Sequence, residues 1–200
     1  DGARSFRSAL ASFRTVLAAS GIEQMLSDAE LVCDEERDAS TVCYLRGKLA
    51  SGVARLLLGQ PDRAVRELRE SLTLARDEPS LVHLRIQGLA YLSFASAQSG
   101  DWSTARRTAQ EAAALSSEEG LDHSLPGVVA LTARACVLAH DGESDRAEAA
   151  LAGARRFGNL VRGSRWMWAD TNIRWGNTSL DLGNRPAARE HVDEARAALS

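Results

Sequence analysis

Ser99-Gly100-Asp101-Trp102-Ser103-Thr104-Ala105 decides the fold of this 200-residue chain, because its pattern comes back three more times. Glycines stand at positions 59, 100, 142 and 183, separated by 41, 42 and 41 residues. Each opens a short polar turn: Gly59-Gln60-Pro61-Asp62, Gly100-Asp101-Trp102-Ser103, Gly142-Glu143-Ser144-Asp145 and Gly183-Asn184-Arg185-Pro186. Five residues on comes an alanine: Ala64, Ala105, Ala147 or Ala188. Four further lies Leu68, Ala109, Leu151 or Val192, and three beyond that a small residue: Ser71, Ala112, Ala154 or Ala195. Steps of four and three hold these positions on one face of a helix. Seven residues before each glycine is another small residue: Gly52, Ser93, Ala135 or Gly176.

The physical reading is a helix hairpin. Glycine ends the first helix in the left-handed conformation at low cost. Asp101, Ser144 and Asn184 are placed to cap the second helix, and Pro61 and Pro186 fit its first turn. Small residues on the facing sides let two backbones approach, and the apolar face left over makes hairpins stack. Extended along the chain, the pattern predicts helices over 3–19, 22–37, 40–58, 61–76, 80–98, 102–116, 124–140, 143–157, 161–182 and 185–199. These pair into about five hairpins in an all-α superhelix. The first hairpin lacks the glycine turn, but Ile22, Leu26 and Ala29 repeat the spacing of the second helices. The connections Asp77–Ser80, Ser117–His123 and Gly158–Gly163 are polar or contain glycine, and none is long enough to divide the chain. Residues 1–200 are therefore expected to form one domain.

Composition agrees with a soluble globular chain: 44% hydrophobic, 26% charged, net charge −3. An acidic balance argues against direct nucleic-acid contact. Apolar runs such as Leu56–Leu58 are too short to cross a bilayer. Cys33, Cys43 and Cys136 form no C-x-x-C pair and are odd in number, which fits buried thiols in a reducing cytoplasm. The chain opens Asp1-Gly2-Ala3 without Met, which reads as a piece of something longer.

The small-apolar-small pattern around a glycine turn resembles the tetratricopeptide repeat, whose period is shorter, about 34 residues. Gly88-Leu89-Ala90-Tyr91-Leu92, Ser99 to Ala105, Ala112-Ala113-Ala114-Leu115 and Glu118-Glu119-Gly120-Leu121 resemble, more narrowly, the helical C-terminal region of large ATP-binding LuxR-type (MalT-like) transcriptional regulators. The likeness runs over roughly residues 20 to 199. It implies a cytoplasmic signal-receiving module that takes a small molecule or a protein partner. In such regulators a nucleotide-binding domain precedes the repeats and a helix-turn-helix domain follows. Neither is present: Gly47-Lys48-Leu49 lacks the leading glycine and the hydroxyl residue of a phosphate loop, and no basic recognition helix closes the chain.

No catalytic constellation emerges. His83, His123, His140 and His191 are scattered without zinc spacing, and no Ser or Cys sits in a nucleophile elbow. The run Asp34 to Asp38 reads as a wet helix end, and Asp141 to Asp145 lacks the remaining ligands of a calcium loop. No metal, cofactor or enzyme activity is expected. Trp166, Trp168 and Trp175 fall on one predicted helix. Trp168 and Trp175, seven apart, share a face and Trp166 points elsewhere, so they either pack that helix or wall a binding site.

In a tetratricopeptide superhelix the first helix of each hairpin lines the concave side. Carried over, that geometry puts Arg46, Gln87, Tyr91, Phe94 and Gln98 near a groove, with His140, Asp170, Arg174, Asn177 and Asp181 from later hairpins and Trp166 or Trp168 at one end. Aromatic rings, amides and both charges would suit a polar small molecule or a peptide. The basic clamp by which chaperone-binding repeats hold a terminal carboxylate is missing, since Leu49 and Val53 occupy its places. Two functions remain open: the signal-receiving module of a LuxR-type regulator, or a free-standing scaffold for protein–protein interaction. An all-α hydrolase would need convergent carboxylates or a metal set.

Overall fold

The computed structural model describes residues 3–36, 41–76 and 78–200. Among these residues there are ten α-helices and no strand. They are α1 (Phe6–Leu17), α2 (Ile22–Glu36), α3 (Val42–Leu57), α4 (Pro61–Leu74), α5 (Val82–Gln98), α6 (Trp102–Glu118), α7 (Leu125–His140), α8 (Ser144–Arg156), α9 (Arg165–Asp181) and α10 (Arg185–Leu199). Each odd-numbered helix packs on the even one that follows, giving five hairpins, and α3, α5, α7 and α9 pack against one another along one side.

The four glycines do what their spacing required. Gly59, Gly100, Gly142 and Gly183 have φ of 72°, 82°, 76° and 75°. After each, the chain turns back and its amide closes on the helix just ended, as where Asp101 N donates to the Ser96 carbonyl at 2.8 Å. Asp101 and Asn184 cap α6 and α10 by accepting from Thr104 N and Ala187 N. Ser144 does not cap; it is the first residue of α8, and Glu143 holds the cap position without a side-chain bond. Where glycine is missing, Ala18 takes the left-handed conformation instead (φ 42°) and Gly21 completes the turn.

Small residues set how closely the helices approach. Ala64, Ala105, Ala147 and Ala188 are buried opposite Gly52, Ser93, Ala135 and Gly176, also buried. The Ser93 hydroxyl donates to the Ala105 carbonyl at 2.8 Å, side chain against opposing backbone. A methyl at Gly52 would meet Leu68 Cγ at 2.7 Å.

The last hairpin departs from the pattern in an instructive way. Leu56, Ala97 and Ala139 hold equivalent places before their glycines and are buried or half-buried; Leu180, next in the series, is 54% exposed. Leu68, Ala109 and Leu151 are buried, yet Val192 is 39% exposed. Leu68 packs tightly on Gly52 of its own hairpin, a Cβ there lying 2.7 Å from Leu68 Cγ, whereas the same construction at Gly176 leaves Val192 Cγ2 at 3.9 Å.

Two expectations for the first hairpin and the loops are corrected. Glu36, read as part of a wet helix end, is fully buried: its Oε1 accepts from Ser8 Oγ at 2.5 Å and from Arg4 N at 3.0 Å, tying α2 to the start of the chain. Arg37 and Asp38 lie outside the described residues. The connection 158–163 is not simply a polar loop, because Gly158–Val161 forms a 3₁₀ turn with Val161 fully buried and Gly158 pressed under the Trp175 ring.

Candidate functional site

The inward side is built from stripes on the odd-numbered helices. On α5 the stripe runs His83, Gln87, Tyr91, Phe94 and Gln98; on α9 it runs Met167, Asp170, Arg174, Asn177 and Asp181. Both advance by three or four residues, the step of one helical face. The stripes divide into a cavity, a filled centre and an open edge.

The cavity lies toward the N-terminal ends of α3, α5, α7 and α9 and measures about 490 Å³. Its walls include Met25, Leu49, Val53, Leu84, Leu125 and Met167. Arg46, His83 and Gln87 are its polar members from α3 and α5, and Tyr91 and Trp166 close it. α1 covers one side: Phe13 and Val16 line the space while remaining 62% and 57% exposed, which marks its mouth. The first and last hairpins meet across this end. The Trp166 indole donates to the Val16 carbonyl at 3.0 Å, and the Ser164 hydroxyl donates to the same oxygen at 3.4 Å. Burial holds His83 below the usual histidine range, and the neighbouring Arg46 charge lowers it further, so the imidazole is neutral at pH 7.

The centre is filled by the chain itself. The Arg174 guanidinium lies 3.7 Å from the Phe94 ring centroid and pairs with Asp170, Nε to Oδ2 at 2.9 Å. Tyr91 meets Phe94 edge-on at 5.8 Å. Burial opposes the Arg174 charge, but Asp170 more than offsets it, and the guanidinium stays above its usual range. Burial pushes the Tyr91 hydroxyl far up. Arg174 is thus brought to Tyr91 and Phe94, engaged by the Phe94 ring and by Asp170 of its own helix. Gln98, Asn177 and Asp181 are exposed along the open edge.

His140 and Trp168 stand apart from this surface. His140 stacks flat on Trp102, centroids 3.4 Å apart, where the turn of one hairpin meets the next. The same row of turns is tied by Ser99 to Asp62 at 2.9 Å and by Arg106 to Asp141. Asp141, faintly calcium-like in sequence, is that arginine's partner, which lowers its pKa. Trp168 packs edge-on against Trp175, 5.9 Å between centroids, and lies under Arg162 of the preceding loop. Trp175 donates to Thr132 Oγ1 at 2.9 Å and meets His191 edge-on. The three tryptophans therefore divide between both readings: Trp168 and Trp175 pack, and Trp166 walls the cavity. Sequence spacing missed Phe13, Val16 and Leu125, because nothing local relates α1 to the far end of the chain.

Among the described residues no three of His, Cys, Asp and Glu gather into a metal site, and no helix is long and apolar enough to cross a membrane. Among the described residues no disulfide joins Cys33, Cys43 or Cys136. Cys43 is buried and the other two are half-buried, and burial raises the pKa of all three.

No protein-family model matches the chain, and no curated protein matches it in sequence. Solved structures do match in fold. One is the tetratricopeptide-like repeat region of a kinesin light chain from Podosopora anserina, with 15% identity over 96% of this chain and 93% of that one, TM-score 0.58. MamA from AMB-1 gives 16% identity over 97% and 98%, TM-score 0.53. YrrB, a tetratricopeptide protein with an unusual peptide-binding site, gives 16% over 96% and 84%, TM-score 0.50. The fold is a tetratricopeptide-like superhelix of helix hairpins. Similarity at this identity establishes the fold alone, and none of these structures is a LuxR-type regulator.

Proposed function

We propose that the chain is a non-catalytic interaction scaffold that holds a protein partner on its inward side. The observation that carries this reading is the open edge, where Gln98 of α5 and Asn177 and Asp181 of α9 stand exposed beside the fixed Arg174–Phe94 stack. An extended peptide laid there would meet an amide from each of two hairpins and one carboxylate beside the fixed guanidinium of Arg174. Such groups fix register while the fold supplies the surface. YrrB, with its own peptide-binding site, supports the reading by analogy of fold. The regulator context rests on the sequence resemblance alone. It is tested separately, by whether a nucleotide-binding domain and a helix-turn-helix domain flank these residues in the full reading frame.

The experiment is peptide selection from a random library on the folded chain. Counter-screening uses a Gln98→Ala/Asp181→Lys double variant and, as a control, Arg66→Ala on the outer helix α4. Selected peptides should lose at least tenfold in affinity to the double variant and bind Arg66→Ala as they bind the unmodified chain. That is about 1.4 kcal/mol, within reach of one charged hydrogen bond. Peptides that ignore the double variant would place the partner elsewhere.

A further inference from the structure

The cavity between α1 and the N-terminal ends of α3, α5, α7 and α9 has a chemistry of its own. Its walls are mostly aliphatic, thioether and aromatic, with Ser12, Thr15 and Cys43 among them, and its lining includes no carboxylate. Its one full charge is Arg46, exposed at the mouth and in no ion pair among the described residues. Elsewhere on the chain arginines near carboxylates are paired, as Arg14 is with Asp28, Arg106 with Asp141 and Arg174 with Asp170. Beside Arg46 stand neutral His83 and the Gln87 amide. The parallel helices also direct their positive N-terminal ends toward this end of the molecule, which favours an anion there.

We propose that this cavity binds a single-chain amphiphile with a carboxylate head, its apolar tail inside and its head on Arg46. The size fits. About 490 Å³ holds at most about 16 non-hydrogen atoms if each takes roughly the 30 Å³ of a water molecule, and fewer for a chain that packs imperfectly. A decanoate or dodecanoate lies in that range. A peptide does not suit the interior, because most of its backbone groups would find no partner on aliphatic walls. A cationic amphiphile would meet Arg46 with like charge. The guanidinium offers two parallel donors to a carboxylate, and His83 and Gln87 can donate or accept at its flank. The ligand would also seal the contact between first and last hairpins, since Trp166 and Val16 both line the space. This site is separate from the open edge at Gln98 and Asp181, so either assignment can fail without the other.

Isothermal titration of the whole chain with decanoate, below its micelle concentration, tests the idea. Decyltrimethylammonium and 1-decanol serve as comparison ligands. The expected result is one saturable site per chain for decanoate and none for the cation. Decanol should bind at least about tenfold more weakly, the size of one charge-assisted hydrogen bond. Arg46→Gln should weaken decanoate by a similar factor while leaving decanol unchanged. Ala50→Trp, which fills the space from α3, should abolish binding; Met167→Trp takes its place if circular dichroism shows that Ala50→Trp has not folded. Absence of a saturable site, equal binding of anion and cation, or wild-type affinity in the folded filled variant would each overturn the proposal.

Discussion

Gly127→Ala sets two effects of known size against each other. In the interior of a helix, alanine is favoured over glycine by about 1 kcal/mol. Gly127 sits in the first turn of α7, where the loop before it folds back. A Cβ there would lie 2.3 Å from the Leu121 carbonyl oxygen and 2.7 Å from that of Asp122. Both obstacles are backbone, and the Leu121 oxygen is already held by Ser124 N at 3.0 Å and Ser124 Oγ at 2.6 Å. Making room means breaking that turn, at about 1 kcal/mol for each hydrogen bond lost, on top of overpacking of about 1–3 kcal/mol. The net expectation is a loss of about 2–4 kcal/mol, or roughly 4–16 °C in Tm for a chain of this size. Gly153→Ala in α8 is the control, since its Cβ would meet only Leu131 Cδ1, at an ordinary 3.4 Å. It should gain about 0.5–1 kcal/mol. Urea unfolding followed by circular dichroism reads both, and an unchanged slope against urea would confirm that the same transition is compared. If Gly127→Ala is as stable as the unmodified chain, the turn from Leu121 to Ser124 does not hold α7 in place and the reasoning fails.

Further outcomes follow from the same packing. Ala105→Leu should cost about 1–3 kcal/mol, because the fully buried methyl faces Ser93 and the opposing backbone; unchanged melting would refute the hairpin register. Leu68→Ala should cost about 2–5 kcal/mol, whereas Val192→Ala, its repeat equivalent on the open last hairpin, should cost less than about 1 kcal/mol. Equal losses would show that Val192 is covered in solution. Stability should also fall as pH drops from 7 to 5. Burial, then the Arg155 charge, holds His191 below its unfolded value near 6.5, so the unfolded chain takes up the proton first. His83 is shifted the same way. The stability tied to each is present above about 6.5 and is lost as pH falls through the folded value. Urea midpoints measured across that range should fall less steeply for His191→Gln, and an identical slope would refute the assignment.

Much of the fold was legible because its determinants are local and recur. A glycine that must accept positive φ, a capping Asp or Asn one residue later and an alanine five residues on are each readable without knowing what packs where. Repetition then makes chance agreement implausible. The misreadings have physical causes of the same kind. Ser144 is the better capping residue type, but the repeat puts the cap one residue after the glycine, and Glu143 holds that position. Glu36 looks solvated in a run of acids, yet Ser8 and Arg4, nearly thirty residues upstream or more, supply the donors that allow its burial. Val192 matches its series in sequence and differs in exposure, which a repeat of residue types does not foretell.

The site was legible only to the depth of the repeat, and the reason is visible in one series of positions. Leu57, Gln98, His140 and Asp181 each stand two residues before their glycine. The repeat gives all four the same backbone address, and they meet three different fates. Leu57 packs on the core, His140 stacks on Trp102, and Gln98 and Asp181 stand in solvent. Periodicity thus predicts where a side chain starts and not what it meets. The cavity is harder still to foresee, since its closing contact joins Val16 to Trp166 across 150 residues. A stack of hairpins has contacts between neighbours as its rule. The exception to that rule, where first and last hairpins meet, is where the inward side becomes a cavity whose one charged lining residue, Arg46, has no ion pair among the described residues.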